Sequence, residues 1–111
     1  TPIEVDTVID PTPSGALQSF TGTDSGSDAV LTILAPNDEH YFGTRFYRGS
    51  TSTFGSATLI HTEYGIPSDS DSYTYTAAPI GTSYYWAEPI NGSGVAGPVS
   101  GPQTVTISGG P

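Results

Sequence analysis

Residues 84 to 98 read YYWAEPINGSGVAGP: three aromatics and an acid, then a run of Gly, Ser, Asn and Pro that no helix could hold. Alternation along SYYWAEPIN (83–91) puts Tyr85, Ala87 and Pro89 on one face and Tyr84, Trp86, Glu88 and Ile90 on the other. NGSG (91–94) is turn chemistry, because Asn and Gly tolerate positive φ. Pro89 has no amide hydrogen, so either a bulge sits there or strand pairing has ended by that residue. The stretch reads as a late strand and its hairpin in a small β domain.

The rest of the chain repeats the theme. Fourteen glycines and ten prolines are scattered throughout, leaving no window with helical spacing free of both, while Thr, Tyr, Val and Ile fill the stretches between. A short strand is expected over 17–23, followed by the turn TDSGSD (23–28) and the strand AVLTILA (29–35). Ala29, Leu31 and Ile33 would face the core, although Val30 and Leu34 make that strand apolar on nearly both sides. PNDEH (36–40) is a loop before YFGTRFYR (41–48), where Phe42, Thr44 and Phe46 share one face and Tyr41, Arg45 and Tyr47 the other. GSTSTFGS (49–56) is a loop with one aromatic, Phe54; ATLIHTEY (57–64) and YTYTA (73–77) are strands around the polar loop GIPSDSDS (65–72). The last strand falls within PQTVTI (102–107), with Val105 and Ile107 alternating against Thr104 and Thr106. Seven short strands with a turn signal every ten or so residues predict an all-β, two-sheet sandwich over 19–107. Residues 1–18 read as an extended N-terminal arm, in which Ile3, Val5 and Ile9 alternate with Glu4, Asp6 and Asp10 before Pro11 and Pro13. Its one strand-forming piece either caps its own sheet or adds to a neighbour's edge. Residues 108–111 are expected to be a flexible C-terminal tail.

Composition narrows the function classes. The 111 residues suit one core, and with no cysteine and no methionine that core has neither disulfides nor thiolate-bound zinc to support it. Eleven carboxylates against two arginines and no lysine give a formal charge of −9, which disfavours nucleic acid and anionic membrane surfaces as partners. No apolar run approaches the roughly 20 residues that span a bilayer, and no export signal is visible. A Thr-Pro start is what removal of an initiator methionine would leave, so a short complete protein is as reasonable an expectation as an excised domain.

The order of features, chiefly APIGT (78–82) entering SYYWAEPIN, the following NGSG, the proline-ended LTILAP (31–36) and RFYRGS (45–50), resembles the fibronectin type III family over about residues 17–107. More closely, RGSTSTFGSATLI (48–60), SYYW (83–86) and NGSGVAGP (91–98) resemble linked segments of the variant found in tail proteins of bacteriophages and gene transfer agents. There are departures: Ile33 stands at the family's strand-B tryptophan, Ala78 at the leucine before the turn and Ser83 at the tyrosine corner, leaving Tyr84 or Tyr85 to take over part of that role. The resemblance implies an immunoglobulin-like sandwich in which Tyr85, Ala87 and Pro89 point inward and Tyr84 and Trp86 outward.

On that outward face Trp86 and Tyr84 would join Tyr47 and Arg45, a set suited to a protein contact or a sugar face, or simply to cross-strand stabilisation of an exposed sheet. Catalysis has no support: there is no cysteine, no G-x-S-x-G, and no reason to bring Asp38 to Glu63. His40 and His61 lack zinc spacing, and DSGSD (24–28) and SDSDS (68–72) read as solvated turns rather than calcium loops, so no metal or cofactor is expected. Asn91-Gly92-Ser93 matches a glycosylation acceptor but reads better as a turn. The resulting expectation is a virion structural protein, in the tail or tail tip, soluble when made in the host cytoplasm and present in multiple copies. It would bind other virion proteins through its edges and through Ile3, Val5 and Ile9; alternatives are a host-glycan recognition module and a capsid decoration protein.

Overall fold

The computed structural model describes residues 11–108. Seven strands form two antiparallel sheets packed as an immunoglobulin-like β-sandwich: β1 (Ser19–Ser25), β2 (Asp28–Leu34), β3 (Gly43–Gly49), β4 (Thr58–Tyr64), β5 (Ser70–Tyr75), β6 (Gly81–Ile90) and β7 (Ser100–Ile107). One sheet runs β1-β2-β5 and the other β4-β3-β6-β7. The two-residue periodicity read from the sequence explains why these segments pair. In β2, Ala29, Leu31 and Ile33 are fully buried while Val30, Thr32 and Leu34 are half-exposed. Phe20, Leu31 and Ile33 share one core with Phe46, Tyr85, Val105 and Ile107 of the facing sheet. Burying each large side chain of this set stabilises the fold by about 1.5–3 kcal/mol.

Two departures from simple alternation decide what reaches the surface. In β4 the pairs Phe46↔His61 and Tyr47↔Leu59 leave Ile60 without a partner of its own. The extra residue resets the alternation, so His61 and Glu63 turn between the sheets while Leu59, Thr62 and Tyr64 share the outer face with Arg45. Ahead of β3 the expected grouping of Phe42 with Thr44 and Phe46 is wrong. Tyr41 is the buried residue, its hydroxyl 2.8 Å from Thr44 Oγ1, and Phe42 is 47% exposed. The Phe42 amide donates to Ile90 on one neighbouring strand while its carbonyl accepts from Gly65 on the other side. A regular strand residue directs both groups the same way, so this twist carries the ring to the outer face.

Of the expected extended arm 1–18, the described part, 11–18, crosses the end of its own sandwich. Leu17 is in the core, and the Gln18 amide and side chain donate to the carbonyls of Leu34 and Ala35. The Gly15 amide donates to Asp38 Oδ2 at 2.7 Å, and Ser14 is buried against Gly97, where any β-carbon would collide with the Ser14 carbonyl. Amides of His40 and Gly15 hold the Asp38 carboxyl below its usual range. Ile3, Val5 and Ile9 lie outside the described residues.

Candidate functional site: the outer face of the four-stranded sheet

Alternation does carry Tyr47, Arg45, Tyr84 and Trp86 toward the outer side of the β4-β3-β6-β7 sheet, where Tyr47 pairs with Trp86 and Arg45 with Glu88. Their accessibility is another matter. Trp86 is only 2% exposed. The chain after β3 doubles back through a short 3-10 turn, Phe54–Ser56, and sets the Phe54 ring on Trp86 at 5.7 Å and edge-on to Tyr47 at 5.0 Å. From the other side β7 presses in: between Tyr85↔Gln103 and Ala87↔Ser100, two residues oppose Trp86 alone. One of them, Gly101, has φ of +122°, and a β-carbon there would come within 2.9 Å of Trp86 Cδ1 and 2.7 Å of the Tyr85 carbonyl oxygen. Only glycine fits that position. Trp86 is therefore covered on the outer side of the sheet, and no sugar or partner ring can stack on it while the 49–56 loop stays in place.

The neighbouring polar groups serve one another. Tyr47 donates to Glu88 Oε1 at 2.9 Å, and Arg45 Nη1 lies 3.6 Å from the same oxygen. Arg45 Nη2 also donates to the Gly94 carbonyl at 3.2 Å, tying the sheet to the hairpin. Burial, and then Glu88, push the Tyr47 phenol above its ordinary range. Tyr84 is half-buried, and on the inner face the Arg48 Nε donates to buried Ser83 at 3.0 Å. Tyr85 does not take over a tyrosine-corner role, because its buried hydroxyl faces the side chains of Ser83 and Arg48 and makes no hydrogen bond to backbone. The Pro89 carbonyl accepts from Gly97, but its own nitrogen cannot return the bond, and β7 has left the ladder by Ala87↔Ser100. Against β3 the strand continues through Ile90.

The hairpin itself is fixed by Asn91. Its side chain is almost wholly buried: Oδ1 accepts from the amides of Ser93 and Val95, each at 2.9 Å, and Nδ2 donates to the Thr12 carbonyl at 2.8 Å. A glycan has no access to an amide so enclosed, which leaves the turn reading.

Beside this sealed half, the same face is open. A groove of about 340 Å³ is lined by Phe42, Leu59, Tyr64, Ile90, Arg45 and the glycines of the hairpin. Phe42 and Tyr64 form an edge-to-face pair at 5.3 Å, and Leu59 and Tyr64 are 49% and 62% exposed. The sequence reading missed Phe42, Leu59 and Tyr64 because both alternation resets fall beside them; the one local signal was Gly43, a residue that often marks irregular pairing.

Between the sheets, His61 stacks on Tyr73 at 3.9 Å and bonds Glu63 at 2.8 Å. Asp71 is not in a solvated turn, as SDSDS suggested, but in β5, with Oδ2 buried and unpartnered; burial, then Glu63 and Asp69, push its carboxyl up. Among the described residues no three His, Asp or Glu side chains gather as a metal site, and no helix is long and apolar enough to cross a membrane. No family model matches the chain, and no curated protein matches it.

Proposed function

We propose that this chain is a structural and interaction module of a phage or gene-transfer-agent virion, placed in the tail or its tip, which holds other virion proteins against the outer face of its four-stranded sheet. The observation that carries the interaction reading is the open groove, where Phe42, Leu59 and Tyr64 stay exposed around Arg45. Large apolar side chains grouped on one face favour a protein partner. The virion context rests on the resemblance. In this fold the resembling segments do structural work: RGSTSTFGSATLI supplies the Phe54 cover and β4, SYYW supplies its Trp86 counterpart, and NGSGVAGP supplies Asn91 and the Gly97 seat for Ser14. Glycan recognition through Trp86 is the weaker reading, because that ring is covered. The test is to purify particles from the producing strain and locate the chain by mass spectrometry and electron microscopy. Density for the sandwich at the tail supports the proposal, density on the capsid surface favours decoration, and absence from particles overturns it.

A further inference from the structure

Asn91 lines the groove and at the same time holds the Thr12 carbonyl, so the described chain begins beside that edge. The segment ahead, TPIEVDTVID, alternates Ile3, Val5 and Ile9 with Glu4, Asp6 and Asp10. Its ten residues reach up to about 35 Å when extended, enough to cross a sheet face. The groove has the complementary character, with apolar walls at Phe42, Leu59, Tyr64 and Ile90 beside Arg45, one of two basic residues in the chain. Arg48, the other, is bonded to Ser83 on the inner face, so Arg45 is the cation that an acidic segment would meet here. Its side chain keeps 30% of its surface exposed, and its contact with Glu88 is a long 3.6 Å.

We infer that this groove receives the N-terminal segment of a second copy of the chain, with Ile3 and Val5 against the apolar walls and Glu4 or Asp6 near Arg45. The inference deepens the proposed function, on which it rests, by naming the partner of that face. A second copy is preferred to the chain's own segment because Pro11 and Pro13 bracket the anchored Thr12. Each proline fixes its own φ and biases the residue before it toward extended geometry, so the sequence resists a reversal over residues 10 to 13. Three residues of such extended geometry span roughly 10 Å, which would direct a segment away from a groove right beside its anchor. Passing the segment on to a neighbour is a low-cost route to association.

Sedimentation of the full chain from about 1 µM to about 1 mM tests this. The expected result is an apparent mass rising above the 11.5 kDa of one chain with concentration. Val5→Asp in the segment and Leu59→Glu in the groove should each weaken association by roughly tenfold or more. Mixing these two variants should restore pairs but not longer assemblies, since one intact segment and one intact groove remain. Leu59 is half exposed, so its variant keeps the fold, checked by far-UV circular dichroism. A monomer at every concentration overturns the inference. In that event a Val5→Cys, Leu59→Cys double variant identifies the occupant: an intrachain disulfide formed in dilute solution puts the chain's own segment there. Association without presence in particles would sink only the virion reading, and presence in particles without association would sink only this one.

Discussion

The outer face of the four-stranded sheet has two halves built from the same kinds of residue. One carries Trp86, Tyr47 and Phe54, the other Phe42, Tyr64 and Leu59. The first is closed by a loop laid over it and by a β7 bulge pressed against its side; the second has no such cover among the described residues. The same aromatic chemistry thus stabilises the fold on one half and is left available for contact on the other. Residue type does not decide between these outcomes; the path of the following loop does.

The comparison breaks most visibly at Trp86. Trp86→Ala should cost about 3–5 kcal/mol in urea unfolding, because it empties a packed site, whereas Phe42→Ala should stay within about 1 kcal/mol. Equal losses would erase the distinction. Asn91→Ala should cost about 2–3 kcal/mol by leaving two hairpin amides and the Thr12 carbonyl without their partner. Phe54→Ala converts the closed half toward the open one: we expect a loss of about 1–2 kcal/mol, a red shift of the tryptophan emission and easier acrylamide quenching. Unchanged quenching would mean that Phe54 is not the cover.

The smallest expected effect comes from the flank between the sheets, which serves as a control outside both halves. Burial raises the folded-state pKa of Asp71, so its ionised form opposes folding at neutral pH. Asp71→Asn should therefore be more stable than the parent at pH 7. The advantage should shrink as pH falls through the raised folded value and vanish below about 3.8, where Asp71 is protonated in both states. Asp38 works in the opposite sense: with its folded pKa lowered, its contribution is present above 3.8 and is lost as pH falls through the folded value. Chemical unfolding of the parent, Asp71→Asn and Asp38→Asn across this range checks the two signs.

How far the sequence carried follows from the same physics. AVLTILA announces β2 because one face of the strand is buried along its length, and YYWAEP announces β6 through the same alternation. Alternation holds only while pairing is regular. The Tyr41-Phe42 twist and the unpaired Ile60 each shift the phase by one residue, so alternation along the sequence hides three groove residues and points to Trp86 instead. Phe54 was legible as an aromatic in a loop, yet nothing local says where a loop of eight residues will lie. Asn91 was recognised as a turn former, but its bond to Thr12 joins positions 79 apart and has no sequence signature.

That last bond bears on how the molecule is made. Synthesis proceeds from the N-terminus, so Thr12 emerges early and meets the Asn91 side chain only once Asn91 has cleared the ribosome. β1 can pair with β2 as soon as both are out, whereas the end of the sandwich closes only when the hairpin after β6 has formed. Until then Leu17 and the chain ahead of β1 lack their seal, and a ribosome paused before residue 91 would hold a chain that lacks β7 as well as the hairpin.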